Sequence, residues 1–424
     1  MKIAVVEETA ALKGEVRAPS SKSYTHRAII AASLSRGLSH IRSPLYSDDI
    51  FATIEACISF GVSIVRNETE LLITGSSGFK APLNTIDCKN SASTIRFLTP
   101  IAALAKGETV LDGSAGLRRR PIGHLVEALE KLEVKCSSNN GFPPVTVIGC
   151  TLKGGRTSLV GNVSSQFITG LIFACPLARR DTEIILTTPL ESKPYVRLTL
   201  DVLGRHGIKI DISKNFRRFN IPSKQRYMSC DHEVPGDFSA AAFLLAAAAM
   251  TGSNVTVDNL FPDQPDSEIA NILSKMGVAV KVMNSSIRVS SKKLRAVAID
   301  ARDIPDLVPV CAALACISEG TTRIYGAKRL RLKESDRLSV LSSELKKMGA
   351  DVVDKAEELI IKGPNTLRGA TINPHGDHRI AMACTIAGLK AKGKTEILEA
   401  ECVDKSYPNF FSDLKKLGAK IYVG

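Results

Sequence analysis

The sequence predicts an α/β protein built from six copies of one repeat, each with two helices and several short strands. Three observations predict it. One type of segment occurs six times as a polar cluster, an Ala-rich apolar stretch of helical length, a small polar turn and a Thr/Val/Ile run. A second type alternates with it: an amphipathic stretch that stops at a glycine and continues into a short strand. The stops keep register, at Gly61, Gly207, Gly277, Gly349 and Gly418 with Glu133 in the second copy, so that successive stops lie 69 to 74 residues apart. A glycine past the last helical turn is the expected stop, because the left-handed conformation needed there costs glycine little. Unrelated helices would not hold that interval over six copies, and solenoid repeats are shorter, about 20–50 residues.

In chain order, the first type reads SYTHRAIIAASLSRGLSHI from Ser23, STIRFLTPIAALAKGETVL from Ser93 and QFITGLIFACPLARRDTEIIL from Gln166. It continues as SAAAFLLAAAAMTGSNVTV from Ser239, DLVPVCAALACISEGTTRI from Asp306 and RIAMACTIAGLKAKGKTEIL from Arg379. The second type reads IEACISFGVSIV, LEKLEVKC, LDVLGRHGIKIDI, IANILSKMGVAVKV, LSSELKKMGADVV and FSDLKKLGAKIYV. Strands of period two between helices of period 3.6 make each copy an α/β unit. Six copies divide into two lobes of three. The polar stretch 223–237, with Pro235-Gly236, is the expected crossing between them.

The 424 residues are 44% hydrophobic and 23% charged, an ordinary balance for a soluble globular protein. The formal net charge of +13 favours anionic partners. Nucleic-acid modules add aromatic stacking platforms. Here aromatics are 5%, Trp is absent, and the densest basic run is Arg118-Arg119-Arg120. Small phosphorylated substrates are therefore the expected partners, with no nucleic acid and no membrane. The ten cysteines form no CxxC pair, and Cys311 and Cys316 lie in the apolar run VPVCAALACI, where cysteine acts as a small hydrophobe. With no signal peptide at its start, the chain is expected to be a reduced cytosolic protein. His and Cys show no metal-ligand spacing, so no metal is expected. The longest apolar run, 240–250, is too short to span a membrane.

The polar clusters before the apolar helices have the composition of N-caps: Ser21-Lys22-Ser23, Asn90-Ser91-Ala92-Ser93, Ser164-Ser165-Gln166, Gly236-Asp237, Pro305-Asp306 and Asp377-His378. Helix starts present free N–H groups and a partial positive charge, which suits phosphate and carboxylate. A cap by itself only begins a helix. Cations beside it are another matter, because they oppose the dipole. Lys22, Arg27, Arg96, Arg120, Lys333, Arg337, Arg379 and Lys405 all sit in or beside these starts, an arrangement that makes sense if they share an anion. Two acids stand among them: Asp306, after Pro305, and Glu334, between Lys333 and Ser335-Asp336-Arg337. Such acids either cap and pair, or serve as general base and general acid.

Together these clusters resemble the 5-enolpyruvylshikimate-3-phosphate (EPSP) synthases. The resemblance runs from Val16 to Lys420 through PSSKSYTHR (19–27), NSASTIR (90–96), RRPIGHL (119–125), SSQF (164–167), ESKPY (191–195), IPD (304–306), LRLKESDR (330–337), GDHR (376–379) and DKSYP (404–408). SSQF or IPD alone is a weak signal; nine motifs in order, in register with an independently read repeat, are a strong one. The resemblance implies a two-lobe inverse α/β barrel with three βαβαββ repeats per lobe. One lobe spans 18–229. The other spans 230–424 and is completed by the first strand, within 1–17, so that the chain crosses near Arg17 and near Cys230. Helix starts of both lobes would face a cleft that closes on substrate. The implied reaction moves the enolpyruvyl group of phosphoenolpyruvate to the 5-hydroxyl of shikimate 3-phosphate and releases phosphate, without a cofactor, in a chain expected to be monomeric.

Carried over position by position, Lys22 matches a lysine that contacts both substrates. Ser23, Arg27, Ser164, Ser165, Gln166, Ser192 and Lys333 match shikimate 3-phosphate ligands, with Gln166 also near phosphoenolpyruvate. Arg120, Arg337, Arg379 and Lys405 match phosphoenolpyruvate ligands, and Ala92 lies at that site. Asp306 matches the acid that binds the 5-hydroxyl and takes its proton, and Glu334 the acid tied to proton traffic at the enol methylene. The chain departs from the family at Ser20 and Ala92, where glycine is common, at His26, where Asn is frequent, and at Arg329, where some relatives have Asn. UDP-N-acetylglucosamine enolpyruvyl transferases share the fold and donor. They usually carry a cysteine in the loop before the RP pair and Asn after the first lysine, whereas this chain has no Cys between Cys88 and Cys136 and has Ser23. An RNA-binding or RNA-end-processing protein on a related repeat is the alternative of another class, and the low aromatic content stands against it.

Overall fold

The computed structural model describes residues 2–76, 78–149, 152–291 and 293–424. Among them are twelve α-helices, and they fall in the pairs the repeat predicts. The first three pairs are α1 (Lys22–Leu34) with α2 (Asp48–Ser59), α3 (Ala92–Ala102) with α4 (Gly123–Glu130), and α5 (Ser165–Ala174) with α6 (Lys193–Arg205). The other three are α7 (Phe238–Met250) with α8 (Ile269–Lys275), α9 (Val308–Cys316) with α10 (Arg337–Lys347), and α11 (His378–Gly388) with α12 (Phe410–Lys416). Each even-numbered helix ends two or three residues before a left-handed residue: Gly61, Glu133, Gly207, Gly277, Gly349 or Gly418, with φ between 61° and 99°. Glu133 thus adopts the conformation of the five glycines at φ 61°, a strained choice for a side chain with a Cβ. Its carboxylate is held there by Lys153 at 2.6 Å and Arg180 at 2.8 Å.

Each repeat builds one sheet with the same pattern, a parallel pair followed by two antiparallel partners. The second repeat runs 86–87, 107–112, 142–149, 135–139; the third 155–159, 182–186, 218–221, 211–212; the fifth 298–300, 320–325, 358–363, 351–355. The other three take strands from distant sequence. Strand 13–17 lies parallel to 254–258 in the fourth sheet, and strand 4–6 pairs with 395–397 and 421–423 in the sixth. Strands 227–228 and 232–233 both lie parallel to 35–42 in the first.

The chain forms two compact units, one of residues Ser21–Val234 and one of Met1–Ser20 with Pro235–Gly424. Two short N-terminal strands, rather than one, complete the second unit, in two different sheets. The segment up to Glu233 stays with the first because its backbone bonds to strand 35–42. Each unit keeps its odd-numbered helices inside and its sheets around them. Every residue of α7, α9 and α11 is buried, and each of the three packs on the other two. This explains their Ala-rich composition: small side chains let helices approach while still removing apolar surface from water. None of the described cysteines forms a disulfide, and Cys57, Cys175, Cys311, Cys316 and Cys384 are buried among apolar side chains. No helix among the described residues is long and apolar enough to cross a membrane.

Candidate active site

Five of the six polar clusters cap their helices. Ser21, Ser91, Ser164, Asp237 and Asp377 accept hydrogen bonds from backbone N–H groups of the first turns of α1, α3, α5, α7 and α11. The sixth does not. A 3-10 turn at Pro305–Leu307 leads into α9, and the Asp306 side chain makes no cap bond. It turns to cations instead.

In the unit containing residues 235–424, those cations form a network with three carboxylates. Arg337, 1% exposed, donates from Nη1 to Asp306 at 2.9 Å, from Nη2 to Glu334 at 2.7 Å and from Nε to Asp377 at 2.8 Å. Asp306 also meets Arg379 at 3.2 Å and Lys333 at 3.5 Å, and Glu334 meets Lys405 at 3.4 Å. Asp377 bonds to Ser335 Oγ at 3.2 Å while capping α11. Lys333, Arg337, Arg379 and Lys405 thus meet the three carboxylates Asp306, Glu334 and Asp377, with Arg337 and Arg379 in the first turns of α10 and α11. Burial raises the Asp306 pKa, but Arg379, Lys333 and Arg337 outweigh it and hold the carboxyl well below the usual range. Burial pushes the Lys333 ammonium down to about 8, against the pull of Asp306. Burial also opposes the charge of Arg337, but its carboxylate partners win and hold it protonated.

In the unit 21–234, Lys22 opens α1 and its Nζ pairs with Asp49 at 3.0 Å. Arg27 donates to the Ser23 carbonyl at 2.8 Å, to Thr199 Oγ1 at 2.8 Å and to the Tyr195 carbonyl at 3.1 Å, with its guanidinium 5.2 Å from the Phe97 ring centroid. Burial lowers its pKa to about 10, which leaves it charged at neutral pH. Those bonds join α1 to α6, whose N-cap is Ser192, a buried residue in the left-handed region at φ 56°. A second set joins α3 to α5. Arg96 donates to Gln166 Oε1 at 2.8 Å, Ser164 Oγ at 3.3 Å and the Pro121 carbonyl at 2.8 Å, while Gln166 Nε2 donates to Ser93 Oγ at 2.9 Å. Ala92 and Ser165 open α3 and α5, and buried Arg120 directly precedes Pro121.

The predicted residues thus lie at or beside helix ends, in one ion-pair network in the unit containing 235–424 and in two hydrogen-bonded sets in the unit 21–234, with Ala92, Ser165, Arg120 and Ser192 beside the latter in sequence. Three further residues belong to these clusters: Asp377, read in the sequence only as a cap; Arg96, noted only as a cation beside a helix start; and Asp49, for which the sequence carries no signal beyond its place in the first turn of α2. Arg329 is buried and donates to the Arg302 carbonyl.

Comparison with known proteins agrees with the motifs. The family model described as EPSP synthase (3-phosphoshikimate 1-carboxyvinyltransferase) matches residues 6–414. The 3-phosphoshikimate 1-carboxyvinyltransferase of Methanocaldococcus jannaschii is 43% identical, covering all of both chains. That of Methanocella arvoryzae is 46% identical over 97% of each. The EPSP synthase structure from Acinetobacter baumannii superposes with a TM-score of 0.86 at 28% identity, covering 100% of this chain and 99% of that one. The chain belongs to the EPSP synthase family.

Proposed function

We propose that the polar residues gathered at the helix starts, with Ala92 beside them, are the substrate-binding and catalytic set of an enzyme that makes 5-enolpyruvylshikimate 3-phosphate from phosphoenolpyruvate and shikimate 3-phosphate. The reaction is that of the family: enolpyruvyl transfer in the shikimate pathway, towards chorismate and the aromatic amino acids. The observation that best supports the residue assignment is the network around Asp306 and Glu334. Four cations are tied to these acids and Asp377, and two polyanionic substrates would take those cations over.

Shikimate 3-phosphate is assigned to Lys22, Ser23, Arg27, Ser164, Ser165, Gln166, Ser192, Asp306 and Lys333. Phosphoenolpyruvate is assigned to Lys22, Ala92, Arg120 and Gln166, and to Arg337, Arg379 and Lys405. As substrate anions draw Lys333, Arg337 and Arg379 away, Asp306 loses the neighbours that depress its pKa and becomes a better base. It then takes the 5-hydroxyl proton as that oxygen attacks C2 of phosphoenolpyruvate, while Glu334 delivers a proton to C3 and Lys22 neutralises charge on the transferring group. Elimination returns the C3 proton and expels phosphate. The partners are small anions and the chain acts as a cytoplasmic monomer. Phosphate release from phosphoenolpyruvate should require shikimate 3-phosphate; release with UDP-N-acetylglucosamine instead would refute the assignment.

Lys333 adds a pH signature. Its ammonium is charged below about 8 and neutral above. If it binds the shikimate phosphate, kcat/KM for that substrate falls as pH rises through about 8, and Lys333→Arg abolishes this limb because Arg stays charged. A limb unchanged in the Arg variant would remove Lys333 from the ligand set.

Ala92 adds a specificity signature. It is buried at the first position of α3, where the family pattern implies glycine. Phosphoenolpyruvate is assigned to this position, and with it the longer inhibitor glyphosate, which occupies the same site in the family. A methyl group forced into a packed site costs about 1–3 kcal/mol, so inhibition should be weaker by roughly five- to a hundredfold. Ala92→Gly should sensitise the enzyme with a smaller change in KM for phosphoenolpyruvate; equal inhibition constants for the two forms would show that the methyl does not intrude.

A further inference from the structure

The unit 21–234 holds a pair of buried histidines that the assignments above do not use. His206 caps the C-terminus of α6, and His232 lies on the short strand beside 35–42, two residues before the chain leaves this unit. Both are 0% exposed. Their rings stack with centroids 5.1 Å apart, and Nε2 of one lies 2.9 Å from Nε2 of the other. His206 Nδ1 is 2.7 Å from the Met228 carbonyl, and His232 Nδ1 is 3.0 Å from the Tyr24 hydroxyl.

These contacts fix every proton. A carbonyl only accepts, so His206 carries hydrogen on Nδ1, and its neutral ring offers Nε2 as an acceptor. His232 must then donate from Nε2, which leaves its Nδ1 to accept from Tyr24. The chain runs one way, from Tyr24 through His232 and His206 to Met228. One added proton reverses the Tyr24 bond, and a second sets two N–H groups face to face. The surroundings also oppose protonation. Burial is the largest effect, lowering His206 and bringing His232 to about 3. His206 and the exposed Arg205 add to the lowering of His232, while Asp231, which counteracts it, is engaged with Arg42. Around Tyr24 lie Arg205, Cys230 and Asp201, and Tyr227 stands beside His206 with ring centroids 6.2 Å apart.

Tyr24 sits in the first turn of α1, next to Lys22 and Ser23. We propose that Tyr24, His232 and His206 form a positioning chain that fixes the start of α1 against α6 and strand 232–233, and that it does so only while both imidazoles are neutral. Arg27 makes another link between α1 and α6, while Lys22 and His26 tie α1 to α2, so removing the chain loosens the helix start on its α6 side without freeing it. The functional half of the proposal rests on the reading of Lys22 and Ser23 as shikimate 3-phosphate ligands; the protonation half does not. The sign of the pH effect follows from the lowered pKa values. The chain's contribution is complete above about 6.5, the ordinary histidine value, and is lost as pH falls towards about 3.

Nitrogen NMR of the full chain labelled at histidine tests the protonation half. His206 should appear as the Nδ1–H tautomer and His232 as the Nε2–H tautomer, with His232 still neutral at pH 5.5 and His206 titrating below the ordinary histidine value. Either ring half-protonated near 6.5, or the opposite tautomers, would overturn the proposal. Steady-state kinetics tests the positioning half. Tyr24→Phe deletes one hydroxyl and should raise KM for shikimate 3-phosphate about three- to tenfold, the size of one lost neutral hydrogen bond, with KM for phosphoenolpyruvate within about twofold. Taken as the ratio to wild type at each pH, which cancels the titration of the substrate phosphate, that rise should grow from pH 7.5 to pH 5.5, because His232 without its donor protonates more readily. His232→Gln should keep the wild-type KM, its amide accepting from Tyr24 and donating to His206, while His232→Leu should behave like Tyr24→Phe. Equal KM values across all four proteins would reduce the chain to packing. A Lys22→Ala enzyme with unchanged KM for shikimate 3-phosphate would instead fault the ligand assignment and leave the NMR result standing.

Discussion

Replacing Asp306 by Asn lowers turnover by about 10²–10⁴-fold, the usual contribution of a positioned acid or base, and Glu334→Gln does the same. The substitutions keep shape and remove charge, so they separate chemistry from packing. In the unliganded network Asp306 draws on three cations. Its neutral replacement leaves Arg337 and Arg379 freer for an anion, so phosphoenolpyruvate binding should not weaken while turnover collapses. Shikimate 3-phosphate binding should survive Glu334→Gln better than Asp306→Asn, because only Asp306 is assigned to that substrate. Initial rates with direct binding measurements decide the matter. If both variants keep near-normal turnover, the acids are ion-pair partners and nothing more.

Which of these features the sequence shows depends on how local their cause is. The stop after each even-numbered helix is a single-residue event, so the six stops could be read directly, even where Glu133 stands in for glycine at φ 61°. Caps are nearly as local, and five of the six clusters act as caps. Asp306 is the exception because Pro305 sets a 3-10 turn ahead of α9 and tertiary ion pairs claim its side chain. Strand partners are a different case. Strands 4–6, 13–17 and 232–233 pair with segments far away in the chain, and no local period records that. The polar stretch 223–237 reads as a linker, yet it contains two short strands of the first sheet. The same holds for Asp49 with Lys22, Arg96 with Gln166, and His206 with His232. Each partner looks ordinary alone and gains meaning only from a neighbour 26 to 70 residues away.

Arg337 is expected to give the largest loss of stability. Its guanidinium is 1% exposed and meets three carboxylates, of which Asp377 is wholly buried and Glu334 is 9% exposed. Arg337→Met keeps much of the volume and deletes the charge, leaving Asp377 with the Ser335 hydroxyl and the α11 N–H group as its remaining hydrogen-bond donors. Breaking a buried ion pair from one side typically costs about 3–5 kcal/mol, far more than the pair's net contribution, because an uncompensated charge stays behind. At roughly 2–4 °C per kcal/mol for a unit of this size, the transition of the unit 235–424 should fall by about 6–20 °C. Removing the stranded charge separates this cause from lost packing. The double variant Arg337→Met with Asp377→Asn should regain at least about half of the loss, since the amide can still accept from the α11 N–H group, and yet remain inactive because the assigned phosphoenolpyruvate ligand is gone. Thermal and urea unfolding of the three proteins, read by hydrogen exchange on peptides from 300–380, provides the measurement. A double variant no more stable than the single one would show that Arg337 supports the unit through its packed stem rather than through its charge.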